Sequence, residues 1–447
     1  MVSAHLARIA DVNPDINAVV QLRADAALAD ARVADRVLAG GATVGPLHGV
    51  PITVKDSFDT AGLVTTGGTV GRKGFIPAAD ATIVERLKAA GAIVLGKTNT
   101  PELTLAYEAD NLVYGRTRNP YDLSRGTGGS SGGAAAIVAA CGSALDVGSD
   151  TAGSIRFPAH CCGVAGLKPT TGRVPRTGHV IGPGGLQQWL TTIGPIARRV
   201  EDLELVLGII AGPDDIDPHI PPVPLRASAL VDLRGLQAAM FIDTTLARAT
   251  TEVRAAVSQA AGTLASAGVD VEVASMPAFE RPFEFFPQLF GADGAAGLES
   301  FLAFLGTRDV SPQVRGAIGL MRRYAMSSAA LGDLMQEVDA WRTEALAFLR
   351  RYDLIVCPAA ADVAPLPVAD WDDTAVSWNA GIFPYLVPFN FLGAPSAVVR
   401  VGVSASGLPI GVQCVARPWR EDVALRAASH LEAELGGWQS PPERGIS

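Results

Sequence analysis

Residues 125–156 read RGTGGSSGGAAAIVAACGSALDVGSDTAGSIR. Two serine-bearing glycine turns, GGSSGG and DTAGS, flank a run of small residues that reads as a helix and a short strand. Glycine is used where the backbone takes positive φ or where a ligand approaches the main chain closely. Ser130 on the first turn and Ser154 on the second stand 24 positions apart, so the two turns read as two walls of one pocket. Alone, a GGSSGG run is also the composition of a flexible linker. The reading therefore rests on the pair.

Composition limits what such a pocket can serve. Apolar residues make up 48% of the 447 positions and charged residues only 18%, enough for a large buried core. A net charge of −9 argues against nucleic acid or an anionic membrane as partner. Five cysteines without a CxxC pair are the usage of a reducing compartment, and six dispersed histidines offer no metal-ligand spacing. The first residues, MVSAHLARIADVNPD, do not read as a signal peptide, and the longest apolar run, residues 134–141, is too short to span a bilayer. The expectation is a cytoplasmic protein without metal or cofactor, acting on a small molecule as a monomer or homodimer.

Working outward, residues 3–11 and 17–38 carry an alanine-rich helical pattern that ends at Gly40–Gly41. Next, an apolar run, Val50–Val54, delivers Lys55 at its end. Lysine is scarce, five of 36 basic residues, and one at the mouth of a buried strand must be paired or neutral. The adjacent Asp56 allows the alternative of a surface Lys–Asp turn. Residues 80–90 predict a helix capped by Asp80. GAIVLGKT, residues 91–98, matches a phosphate-loop pattern literally, but Ala, Ile, Val and Leu between its glycines read as a buried strand, and Pro101 stands where the phosphate-loop helix should run.

Beyond Ser154, FPAHCCGVAGLKPTTGRVP is rich in Gly and Pro and reads as loop. A helix is predicted near 199–211, and strand–helix–strand over 236–274, the crossover unit of an α/β sheet. Residues 279–350 read as mostly helical and phenylalanine-rich. DLIVCPAA, SAVVRVGV and GLPIGVQCVA read as strands, and 421–435 as a closing helix. Phe279, Phe283, Phe285, Phe286 and Phe290 crowd into twelve residues, where Pro282 and Pro287 are expected to interrupt regular helix. Some of those rings are expected to line a pocket. Leu298, Phe301, Leu302 and Leu305 form a helical stripe that ordinary core packing explains equally well.

Five motifs together resemble the amidase signature family of serine hydrolases: GPLHGVPITVKD, DATIVERLKAAGAIVLGKTNTPE, GRTRNPYDLSRGTGGSSGG, DTAGSIRFPAHCCGVAGLKPTTGRVP and GLPIGVQCVARP. They cover residues 45–205 densely and 385–435 loosely; residues 220–380 match nothing. The resemblance implies one α/β/α domain over residues 1–447 around a large mixed sheet, and a Ser–cis-Ser–Lys triad. Ser154 matches the nucleophile, Ser130 the bridging serine joined to Gly129 by a cis peptide, and Lys55 the base. The N–H groups of Thr151, Ala152, Gly153 and Ser154 match the oxyanion hole. Ser131, Gly129, Asp150 and Arg156 match supporting positions. Ala152 stands where most members have glycine, and Gly126–Thr127 where Thr-Pro is usual.

The chemistry has its own logic. A serine hydroxyl needs a base within reach, and a lysine can serve only when neutral, which burial favours and a nearby carboxylate opposes. Asp56 must therefore point away from Lys55. The reading is an amide hydrolase working through an acyl-enzyme, on neutral hydrophobic or aryl amides and on esters or carbamates. The alternatives are the glutamine-hydrolysing subunit of a tRNA-dependent amidotransferase, a Ser-His-Asp hydrolase using His160, and a binding protein without catalysis.

Overall fold

The computed structural model describes residues 1–186, 188–368 and 381–442. Its strands are β1 (Val19–Leu22), β2 (Pro51–Lys55), β3 (Ile93–Thr98), β4 (Leu145–Asp150), β5 (Ala165–Lys168), β6 (Thr192–Ala197), β7 (Gln237–Met240), β8 (Asp270–Val273), β9 (Leu354–Pro358), β10 (Ser396–Val403) and β11 (Pro409–Ala416). Every residue of β2, β3, β4 and β6 is buried, as expected of strands covered on both faces, which read as continuous apolar runs. An eight-stranded sheet runs β4-β6-β5-β10-β11-β9-β7-β8, and a smaller one β1-β3-β2. In the large sheet β7 pairs parallel with β8 and β9, and the other neighbours pair antiparallel. The fold is a mixed α/β architecture.

Alternation along the central strands feeds two separate cores. Val398, Ile355 and Val415 enter one apolar cluster, while Val399, Val356 and Cys414 enter the other. Side chains two apart share a face of a strand, so the sheet lies between two helical layers. On the first face lie the helices Gly132–Ala139, Arg156–Cys161, Arg281–Phe290, Ser328–Leu349 and Phe383–Phe391; on the second lie Thr82–Ala89, Val200–Ile210, Thr251–Ser266 and Glu421–Leu435. No helix of the described residues is long and apolar enough to cross a membrane.

The smaller sheet abuts the edge of the larger one. The Thr53 N–H donates to Ser143 Oγ at 2.9 Å, and Thr53 Oγ1 donates to Asp146 on β4 at 2.6 Å. The ends of β2 and β4, Lys55 and Asp150, are thereby brought to the same region.

Four local expectations are corrected. The predicted helix over 17–38 is broken by β1, where the β-branched pair Val19–Val20 follows Asn17 in the left-handed conformation (φ 49°) and the strand pairs with β3. Asp80 does not cap its helix; the cap position is Ala81, and Asp80 holds Lys88 at 2.7 Å and accepts from the Ala61 N–H at 2.8 Å. The segment after Ser154 is not all loop, since it folds as the helix Arg156–Cys161 and then β5; Pro158 falls in the first turn, where its missing N–H costs nothing. Pro282 and Pro287 do not prevent the helix Arg281–Phe290, because Pro282 sits in its first turn and Pro287 forgoes one bond near its end. Residues 91–98 run as β3 into an extended segment, so the phosphate-loop match has no loop to cradle a phosphate.

Candidate active site

Lys55 ends β2, opposite Thr98 of β3, and is fully buried. Its Nζ lies 2.7 Å from Ser130 Oγ, 3.0 Å from Ser131 Oγ and 3.0 Å from Ser149 Oγ. Burial penalises the ammonium and brings the pKa down to about 7, against the opposing pull of Asp146 and Asp150. Asp56 is turned away: its carboxylate accepts from the Thr66 N–H at 3.1 Å and from the Thr66 hydroxyl. Burial raises the Asp56 carboxyl to about 6, against the attraction of Lys97 and the bonds from Thr66.

Ser130 and Ser131 are buried immediately before the helix Gly132–Ala139, and the Gly129–Ser130 peptide is cis. A Cβ at Gly129 would stand 2.7 Å from the Ala106 carbonyl oxygen, so the chain closes there on the 106–108 backbone. Ser154 lies on the turn between β4 and the helix Arg156–Cys161, 8% exposed and facing a cavity. The two serine turns touch directly, with the Ser131 N–H donating to the Ser154 carbonyl at 3.2 Å. The sequence-predicted serines and lysine thus converge on one place.

The Ser154 turn is wrapped around a buried carboxylate. Asp150 accepts from the N–H groups of Gly153 (2.8 Å) and Ile155 (3.2 Å), from Arg156 Nε and Nη2 (both 3.0 Å) and from Asn390 Nδ2 (2.9 Å). Burial alone would raise this carboxyl, but the Arg156 guanidinium and the other donors hold it well below the usual carboxylate range. Arg156, itself fully buried, also donates to the Leu386 carbonyl, Gln413 Oε1 and Asn390 Oδ1. Gly153 takes φ 116°, and a Cβ there would meet Leu386 Cδ1 at 2.2 Å, so only glycine fits. Ala152, in contrast, is not among the residues of positive φ. The expectation of four converging N–H groups narrows to three. The Gly153 N–H is spent on Asp150, leaving Thr151, Ala152 and Ser154 as candidate oxyanion donors.

Several participants leave no mark in the sequence. Ser149 is an ordinary strand residue of β4, yet it bridges Lys55 to His179, whose Nε2 lies 3.1 Å from Ser149 Oγ. Burial first, and then the charge of Lys55, bring the His179 pKa down to about 3. Tyr107 donates its hydroxyl to the Ala152 carbonyl and packs edge-on against Phe157 and Phe383. Asn390 and Gln413 complete the Arg156 site; Gln413 falls inside the GLPIGVQCVARP motif, the one signal that points to either. His160 is elsewhere: its ring nitrogens meet the Gly411 carbonyl at 3.2 Å and the Asp362 carbonyl at 2.9 Å, and it does not line the cavity. Among the described residues no cluster of His, Cys, Asp or Glu could hold a metal ion.

The cavity outside Ser154 has a volume of about 380 Å³. Its inner end is formed by Thr151, Ala152, Ser154 and His179, and its walls by Phe283, Phe286, Phe290, Leu320, Met321 and Phe383 with their neighbours. Three of the five clustered phenylalanines therefore face the cavity. Phe279 and Phe285 are buried in the core instead, 3% and 1% exposed. Leu298, Phe301, Leu302 and Leu305 pack with Leu103, Val180 and Val314, so this stripe is core packing.

The chain matches the amidase family over residues 1–425. It is 36% identical over 450 residues to a glutamyl-tRNA(Gln) amidotransferase subunit of Roseiflexus sp. (strain RS-1), covering 95% of this chain and 91% of that protein. It is 35% identical over 451 residues to an acylamidase of Rhodococcus erythropolis, covering 96% and 90%. A solved structure of the peptide amidase PAM with the inhibitor chymostatin superposes with a TM-score of 0.83 at 30% identity, covering 99% of this chain and 95% of that one. The signature motifs, the α/β architecture and these likenesses agree, and the chain belongs to the amidase family.

Proposed function

We propose that this chain hydrolyses neutral, hydrophobic amides through a Ser154–Ser130–Lys55 relay and an acyl-enzyme. The observation that carries the reading is a fully buried lysine whose amine is surrounded by three serine hydroxyls, next to an apolar cavity entered by a fourth serine. Neutral Lys55 has two N–H groups and one lone pair. The N–H groups reach Ser131 and Ser149, and the lone pair accepts the Ser130 proton. Ser149 Oγ lies 3.1 Å from His179 Nε2, and Nδ1 faces Ile181, 3.0 Å from its carbonyl and 3.2 Å from its N–H.

In the forward step Ser154 Oγ attacks the amide carbonyl, its proton passes to Ser130, and the Ser130 proton passes to Lys55. The oxyanion takes donors from the Thr151, Ala152 and Ser154 backbone, held in place by the Asp150 and Tyr107 contacts. Collapse of the intermediate breaks the C–N bond, and the amine leaves with the proton returned from Lys55 through Ser130. Water then enters along the same relay, giving up its proton, and releases the acid. Esters and carbamates present the same carbonyl and fall within the same chemistry.

A second reading is favoured by the relatives named as glutamyl-tRNA(Gln) amidotransferase subunits: release of ammonia from glutamine for a partner chain. Glutamine carries an α-ammonium that would call for a carboxylate, and the described residues lining the cavity include none, although Arg323 among them could face its α-carboxylate. The two readings separate in one experiment, kcat/KM for acyl 4-nitroanilides of increasing chain length with glutamine alongside. The hydrolase reading expects a rise of about fourfold per methylene, the worth of burying ~0.8 kcal/mol, and poor turnover of glutamine. A flat series with glutamine as the better substrate would establish the amidotransferase reading instead.

A further inference from the structure

The cavity wall also includes the helix Pro312–Arg322, packed beside the phenylalanine helix, which presents Gln313, Gly316, Ala317 and Leu320 to the interior. The small residues Gly316 and Ala317 keep that wall open. Gln313 is different in kind. It is 7% exposed, its Oε1 is sealed from solvent, and the carboxamide makes no hydrogen bond among the described residues. Among the other polar groups lining the cavity, the hydroxyls of Thr151 and Thr191 meet at 2.8 Å and His179 is held by Ser149 and Ile181, while Thr104, Arg323 and Tyr324 also line it. Buried polar groups in folded proteins are almost always paired, and one that is not calls for an explanation.

The helix start before Gln313 is held. Ser311 caps the helix by accepting from the Val314 N–H at 3.3 Å, and the Ser311 N–H donates to buried Glu102 Oε2 at 2.7 Å. Glu102 is held in turn by Thr69 at 2.8 Å. The helix start that carries Gln313 is therefore tied to Glu102, the last residue of the DATIVERLKAAGAIVLGKTNTPE motif. A polar group held unpaired in an apolar cavity costs stability unless a ligand completes it, and a site built this way discriminates strongly between substrates that have the matching group and those that lack it.

We propose that Gln313 is a specificity residue that donates a hydrogen bond from Nε2 to a second polar group of the substrate, a carbonyl lying along the chain beyond the bond that is cut. The substrate class is then an extended neutral amide with an internal amide, rather than a plain alkyl or aryl amide. This deepens, and rests on, the hydrolase reading given above. With Oε1 sealed, the edge that can reach a substrate is Nε2, whose N–H groups donate to an internal carbonyl.

The test uses matched acyl 4-nitroanilides and N-alkyl amides of equal length, all-methylene or with one internal amide stepped along the acyl arm and along the amine arm. The purified full chain should favour one position of the internal amide, and Gln313→Met should reduce that preference by about 3- to 10-fold, the worth of one net hydrogen bond. The all-methylene substrate should be cleaved as well or better by the variant. Gln313→Leu should repeat the result, and thermal melts of both variants check folding. An unchanged preference, or an equal loss on both substrate types, would overturn the assignment. Retained hydrolysis by Ser154→Ala would instead overturn the hydrolase reading beneath it, whatever Gln313 does.

Discussion

Between residues 45 and 205 the site is made of strand ends and tight turns whose buried groups are charged or hydroxylic, namely Lys55, Asp150, Arg156 and four serines. Between residues 279 and 324 it is made of helices that present rings and aliphatic chains to the same cavity. The first region tolerates little: Lys55, Asp150, Arg156, Ser130, Ser131 and Ser149 each have named partners within 3.4 Å, and removing one leaves the others uncompensated. The second is a mainly apolar surface in which area sets most of the interaction, with Gln313, Arg323 and Tyr324 as its polar members. On the proposed mechanism, reaction and selectivity are carried by parts of the chain with different physics, and they should respond differently to substitution.

The sharpest contrast is expected at the base. Lys55→Ala should lower kcat/KM by ~10²–10⁴-fold, the usual worth of a positioned general base, on short and long substrates alike. In the unaltered chain, kcat/KM should rise with pH through about 7 as Lys55 loses its proton, and then level off. His179, with its pKa near 3, stays neutral throughout that range. A normal rate from Lys55→Ala, or a profile that falls as pH rises through 7, would break the assignment of Lys55 as base.

Next in size is the support beneath the nucleophile. Arg156→Met would leave the Asp150 carboxylate buried without its ion partner, together with the Leu386, Gln413 and Asn390 acceptors that Arg156 serves. The expected loss of stability is about 3–5 kcal/mol, read from urea denaturation. An isosteric apolar replacement that left stability unchanged would show that the pair is not needed to hold the turn.

The smallest effect belongs to the wall. Phe286 stacks on Phe290 at 4.3 Å and packs on Phe383 at 5.4 Å. Phe286→Ala should cost roughly 5- to 30-fold in kcat/KM on long-chain anilides, from about 1–2 kcal/mol of lost apolar contact, and little on an acetyl anilide. A loss that was uniform across chain length would erase the distinction between wall and base.

The same division governs what could be read from the sequence. Lys55, Ser130 and Ser154 are legible because tight turns and a charge at the end of an apolar run leave marks in a single chain: glycines where φ or close approach requires them, and a lysine where burial is costly. Ser149 leaves none, since a serine inside a strand looks like any other pleat position. His179 reaches the site from a loop 25 residues beyond Ser154, a juxtaposition no local pattern encodes. Likeness assigns the Gly153 N–H to the oxyanion hole, whereas the Asp150 carboxylate three residues earlier claims it. In the wall the signal is present but outweighed. Phe283, Phe286 and Phe290 stand at i, i+3 and i+7, one face of a helix, with Phe285 and Leu289 on the buried face. The prolines suggest an interruption that the first turn and the last one absorb.

The central claim is that Ser154 is the nucleophile served by this buried relay, and covalent labelling tests it most directly. Treatment with a fluorophosphonate, followed by peptide mapping, should place a single adduct on Ser154, and Ser154→Ala should abolish both the adduct and amide turnover while folding is retained. Labelling of the Ser154→Ala chain at another serine of this cavity, with turnover preserved, would contradict the account.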